Sequence, residues 1–122
     1  MVKRTARDAR ERGQIALEYV GVITLLLFIA LAAIQLGLAG YAVQQASTAA
    51  RAAARAETYE DASMSSETAG EAATSDWLTV DIDEPVISGD EVTLTAHVKI
   101  PALLPKVFDL GEAKRSATMP LD

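Results

Sequence analysis

The chain has 122 residues, half of them hydrophobic and 23% charged, with a net charge of −6, a single histidine and no cysteine. That length allows one small domain, and the missing cysteine excludes disulfide staples, zinc–thiolate centres and thiol nucleophiles. His97 alone cannot build a histidine-rich metal centre, so with no nucleophile–base or metal constellation the expectation is no enzyme, no metal and no cofactor.

Residues 1–13 carry Lys3, Arg4, Arg7, Arg10 and Arg12 against Asp8 and Glu11, a net of +3 that leaves −9 for the rest of the chain. This basic end is too short for a nucleic-acid-binding domain, and the acidic remainder has no Lys/Arg cluster to meet a phosphate backbone. No nucleic acid and no small-molecule substrate is expected. The basic stretch abuts an apolar one, and the positive-inside rule then puts the N-terminus in the cytoplasm and the C-terminus outside.

From Tyr19 to Ala50 there are 32 residues without a charge. Val20–Gly40 supplies 21 of them, interrupted only by Thr24, Gln35 and glycines, and about 20 apolar residues suffice for a transmembrane helix. Leu25 to Ile29 is apolar on every side, unlike the stripe of a surface helix. The competing readings are a core helix of a soluble protein, for which too little chain remains, and a signal peptide cut near Leu38-Ala39-Gly40. Tyr41–Glu57 contains no proline or glycine and eight alanines, so the helix is expected to run on from Gln14 to Glu57, about 66 Å at 1.5 Å per residue.

Glu18 sits at the margin of the apolar run, between Gln14-Ile15-Ala16-Leu17 and Tyr19-Val20-Gly21-Val22. A carboxylate there costs a few kcal/mol if it enters the bilayer core, and such residues usually have a partner and a role; the plain alternative is an interfacial glutamate whose head reaches water. Gly13 closes the basic stretch five positions earlier. Arg12-Gly13/Gln14-Ile15-Ala16-Leu17-Glu18-Tyr19 resembles the prepilin cleavage motif of the type IV pilin superfamily, and the Glu-Tyr pair resembles its Flp/Tad branch. The resemblance implies cleavage after Gly13 by a prepilin peptidase, which creates a new α-amine on Gln14. It further implies that Glu18 neutralises the Gln14 amine of a neighbouring copy, with Tyr19 beside it in the assembly. Two charges that are each costly in an apolar setting become tolerable together, and such a pair fixes register. An N-terminal glutamine can also cyclise and lose that amine.

Beyond the span, Ala49-Ala50-Arg51-Ala52-Ala53-Ala54-Arg55 is similar to the Ala/Arg-rich stretch of the TadE/TadG-like family, minor pilins or pseudopilins of Tad systems. Ala33 and Gly37, four apart, and Ala46, Ala49, Ala50 and Ala53 further on, have helical spacing. Small residues let helices approach closely in membranes; simple helix propensity accounts for alanine equally well.

Residues 58–77 form a Ser/Thr/Glu/Ala-rich linker in which Ser65 or Ser66 caps a short helix from about Glu67 to Ser75. The period then changes to two. Leu78, Val80 and Ile82, and later Val92, Leu94, Ala96, Val98 and Ile100, alternate with polar residues as half-buried strands do. Glu84–Asp90 reads as the hairpin loop between them, and Glu112–Met119 as a third strand with Ala113, Ala117 and Met119 on one face. The stalk helix or Trp77 covers the sheet. Asp81, Asp83, Glu84, Asp90 and Glu91 read as a solvated acidic face rather than a calcium site, and His97 lies on the polar side of its strand. The apolar stretch Pro101–Phe108 either packs under the sheet or presents a docking patch.

The fold class expected is α+β: a long N-terminal transmembrane and stalk helix followed by a small antiparallel head of about three strands. Its parts are a leader (1–13), the transmembrane and stalk helix (14–57), a linker (58–77) and an extracytoplasmic β-rich head (78–122). The resemblance implies a single-pass membrane protein, extracellular once assembled into or at the tip of a fibre. Its implied partners are the membrane, other pilins or pseudopilins, a prepilin peptidase and the Tad assembly platform and ATPase. An uncleaved membrane anchor with an extracytoplasmic binding head is the alternative, and a domain secreted after cleavage near Gly40 a further one.

Overall fold

The computed structural model describes residues 2–59, 64–104 and 106–121. Met1, residues 60–63 of the linker, Pro105 of the apolar stretch and Asp122 lie outside them, as do the side chains of Lys3 and Arg4 in the basic leader. Helix α1 (Val2–Thr58) is the first element, and the chain divides into two compact units, residues 1–34 and 35–122.

In the first unit every apolar side chain of the run Leu25–Ile29 is at least half exposed. A helix apolar on all sides has no stripe to bury in a water-soluble core. It is long and apolar enough to cross a membrane, with a mean hydropathy of 2.5 in its most apolar window.

The second unit is an antiparallel sheet packed on the C-terminal part of α1. Its strands are β1 (Val80–Ile82), β2 (Val86–Ser88), β3 (Glu91–Lys99) and β4 (Glu112–Pro120). β3 is central, with β4 on one side and both β1 and β2 on the other. The fold is α+β as the sequence implies, with four strands in place of three. β2 lies inside the stretch read as a loop: its three residues are all exposed, so no apolar–polar alternation marks it. The hairpin turn is Gly89-Asp90 alone. Gly89 has φ +60°, as the first central residue of a type II′ turn requires.

β1 and β2 are one interrupted edge. Asp83 N donates to Thr95 O, while Val86 opposes Thr93, so Glu84 and Pro85 together face Leu94. That is a bulge of one extra residue, placed where proline costs no ladder bond.

The inner face of β3 is Val92, Leu94, Ala96 and Val98, each no more than 1% exposed. Against it lie Ala42, Ala46, Ala49, Ala50, Ala53 and Ala54 of α1, all fully buried. The alanine stripe that suggested helix–helix contact or mere propensity is therefore the floor of the head: side chains this small let the helix axis come close to the sheet. Trp77 does not cover the sheet. It is 58% exposed and stacks on Tyr41, ring centroids 5.8 Å apart and 2° from parallel.

Helix α2 (Ser66–Ala72) forms where the linker reading put it, capped by Ser65, whose hydroxyl accepts from Thr68 N at 3.2 Å. Gly70 is the contact residue. A Cβ there would stand 2.7 Å from Ile82 Cδ1 and 3.3 Å from Ala49 O. Gly70→Ala gains about 1 kcal/mol of helix propensity but overpacks the α2–β1–α1 junction, at a cost of about 1–3 kcal/mol. The expected net result is a lowered unfolding midpoint of the full chain in micelles, followed by Trp77 fluorescence; an unchanged or raised midpoint contradicts the close packing.

Candidate assembly interface

All six residues singled out on the helix are exposed: Gly13, Gln14, Glu18, Tyr19, Ala33 and Gly37. A Cβ built at Gly13 or at Gly37 meets nothing within 4 Å. Ile15, Glu18, Tyr19 and Val22 line one shallow groove on a single face of the first unit, as positions three, four and seven apart must. Glu18 has neither hydrogen bond nor ion pair among the described residues, where the ion pairs are those of His97. A carboxylate flanked by Ile15 and Val22 thus has no counter-charge among the described residues.

Gln35 carries a role the sequence did not suggest. It interrupts the apolar run, yet it is 2% exposed. Its Nε2 donates to Pro101 O at 2.8 Å and its Oε1 accepts from Leu103 N at 2.9 Å. The amide therefore ties the apolar stretch after β3 to α1. Among the described residues that stretch does not lie under the sheet, since neither buried cluster contains any of 101–108. Leu103 is 40% and Val107 63% exposed. Gln35→Leu removes the partner of the part-buried Leu103 N–H and Pro101 C=O, with an expected loss of about 1 kcal/mol. Faster amide exchange confined to residues 101–110 is the accompanying sign; unchanged exchange there contradicts the clasp.

Tyr41 and Gln45 make a second tie about two to three turns further on. Tyr41 Oη lies 2.5 Å from Ser75 Oγ, and Ser75 N donates to Gln45 Oε1 at 3.2 Å. A lone buried or half-buried polar residue in an otherwise apolar or alanine-rich helix was the available signal for Gln35 and Gln45, because an interior amide is kept only where it is satisfied.

On the outer face of the sheet His97 of β3 links Asp83, just past β1, to Glu112 of β4. Its Nε2 lies 2.9 Å from Asp83 Oδ2 and its Nδ1 2.9 Å from Glu112 Oε1. Carboxylates accept, so both ring nitrogens must donate, which only the imidazolium can do. The hydrogen bond to Asp83 is the chief cause raising the His97 pKa above its ordinary value of 6.5, with Glu112 adding and burial opposing. A raised folded-state pKa contributes stability that is complete below about pH 6.5 and lost as pH rises through the folded value. Asp83 and Glu112 are more than half exposed, so about 0.2–1 kcal/mol per pair is expected. The wild type should lose that much against His97→Asn between pH 5.5 and 8.5 in urea unfolding; a difference of opposite sign contradicts the bridge. Among the described residues no three His, Asp or Glu side chains are grouped to hold a metal ion.

Residues 13–55 match the family model described as TadE-like protein. The match begins at Gly13, takes in Gln14, Glu18 and Tyr19, and ends at Arg55, within α1; α2 and the sheet lie outside it. No curated protein and no solved structure matches the chain.

Proposed function

We propose that this chain, TadE-like and pilin-related over residues 13–55, is a minor-pilin or pseudopilin subunit of a Tad-type pilus or pseudopilus. In this reading the work is assembly, not catalysis. The basic leader holds the N-terminus in the cytoplasm, a prepilin peptidase cuts between Gly13 and Gln14, and the helix from Gln14 onward packs with other pilin helices. Glu18 of one copy pairs with the Gln14 amine of the next, Tyr19 lies at the same contact, and Ala33 and Gly37 give a close-packing face. The head remains outside the membrane, and the assembly platform and ATPase act on the subunit from the inner side.

The observation that carries the reading is Glu18, exposed on an apolar helix face with no hydrogen bond or ion pair among the described residues. Gln35 also bears on the geometry. Its clasp belongs to the head unit, so the apolar run free to span runs from Ile15 to Ile34, 20 residues or about 30 Å. In this reading Glu18 lies within the span, where an unpaired carboxylate is costly. The direct test is a zero-length carbodiimide cross-link on assembled material. A bond joining the Glu18 carboxylate of one copy to the Gln14 amine of another supports the pairing. Cross-links that persist unchanged in Glu18→Gln overturn it.

A further inference from the structure

The two edges of the sheet differ. One consists of β1 and β2, three residues each, broken by the Pro85 bulge and with α2 packed on β1. These are the ordinary devices that blunt an edge. The other is β4, nine residues long and, among the described residues, paired on one side alone, with β3.

The phase of the β3–β4 ladder decides what that edge offers. Leu121 N donates to Asp90 O at 2.5 Å at one end, and Ile100 N donates to Gly111 O at 3.1 Å at the other. Hydrogen-bonded pairs alternate with non-bonded ones in an antiparallel ladder. Ala113, Arg115, Ala117 and Met119 therefore turn their backbone groups inward to β3. Lys114, Ser116 and Thr118 turn theirs outward. The side chains agree with that phase: Thr93 and Thr118 hydroxyls lie 2.7 Å apart and Thr95 and Ser116 hydroxyls 2.9 Å apart, across the closer, non-bonded pairs.

A groove runs between this edge and α1, lined by Ser47 and Arg51 from the helix and by Arg115, Ala117 and Met119 from β4. Arg115 shares its side of the strand with buried Ala113, so it projects on the helix side, as Arg51 does from the helix. Neither guanidinium has an ion pair or side-chain hydrogen bond among the described residues. Two cations thus line an open strand edge in a chain whose net charge is −6.

We propose that the outer edge of β4 is a docking site for an extended segment of a partner protein with acidic side chains at every second position. The segment adds as a further strand. Its backbone bonds to the outward N–H and C=O groups of Lys114, Ser116 and Thr118, and its acidic side chains on the helix side meet Arg51 and Arg115. Main-chain bonds give such strand addition its affinity and alternate side chains its specificity. The site lies wholly within the second unit and is independent of cleavage at Gly13.

The test uses the full chain in zwitterionic micelles and a seven-residue peptide of alternating valine and glutamate, with amide exchange read residue by residue. In the free chain the amides of Lys114, Ser116 and Thr118 should exchange at least about tenfold faster than those of Ala113, Arg115 and Ala117, and the peptide should slow them by about tenfold or more. Arg115→Glu should weaken the glutamate peptide by about tenfold and favour its lysine counterpart. Ser116→Pro deletes one outward N–H, keeps the backbone bonds of Arg115 and Ala117 to β3 while giving up the Thr95–Ser116 hydroxyl bond, and should weaken binding likewise. Four results would overturn the proposal: outward amides already protected in the free chain at low concentration; protection that grows with chain concentration without peptide, which means self-pairing; protection by anionic-lipid micelles but not by peptide; or equal binding of the glutamate and lysine peptides.

Discussion

Glu18→Ala is expected to leave membrane insertion at the wild-type level while lowering incorporation into a fibre by about a hundredfold or more, since losing one partner of a buried ion pair costs about 3–5 kcal/mol. Insertion is spared because alanine makes the segment more apolar. Assembly is not, because the Gln14 amine of the adjacent copy would then be left unpaired at membrane depth. Glu18→Gln separates charge from shape: it keeps the hydrogen-bonding atoms and loses the anion, and should fail nearly as badly. Glu18→Asp keeps the charge on a shorter stem and should retain part of the activity. Quantifying sheared surface fibres against total membrane-bound chain checks all three. Wild-type fibre yield from Glu18→Ala means that the carboxylate is an interfacial residue and nothing more.

Leu94→Ala has the largest expected effect on the head. Leu94 is fully buried at the middle of β3, in one cluster with Ala49, Ala50, Ala53 and Ala54. Those facing side chains are already the smallest available, and each sits on a rigid helix, so they cannot swell into the space that a truncated leucine leaves. The loss should therefore fall in the upper part of the usual range of about 2–5 kcal/mol for this change. A small domain has total stability on the order of 5–15 kcal/mol, so a large fraction disappears. Denaturant unfolding of the full chain, followed by Trp77 fluorescence, measures it. A loss below about 1 kcal/mol would mean that the helix–sheet contact is looser than its burial implies.

How much of this was legible in the sequence follows the physics of each signal. Strand β3 announces itself because nine residues of alternation have room to show a period, and the inner face named from that alternation is the buried one; in β4 Arg115 breaks the alternation and only Ala113 of the named face is buried. The α2 helix follows from Ser65 as a cap. β2 stays hidden because three exposed residues next to a bulge carry no alternation, whatever their ladder bonds.

The alanine stripe on α1 was visible, but its purpose was not. Spacing tells which residues share a helix face; it does not say whether a membrane helix or a sheet packs there. Gln35 misled for a related reason, since a single polar residue in an apolar run looks like a tolerated interruption until the loop that uses both ends of its amide is seen. For the interface, Gly13, Glu18 and the apolar helix were legible as a pattern, and the family match covers that same stretch. That Glu18 has no partner among the described residues was not, because only coordinates show which side chains are out of reach.

In the proposed reading this chain becomes a subunit by processing at Gly13, and the N-terminal sequence of the membrane-bound protein decides that, read with and without an active prepilin peptidase. The expected result is a start at Gln14 that requires the peptidase, with the full-length leader retained in its absence. A start at Met1 in both cases would contradict the account and leave an uncleaved anchor.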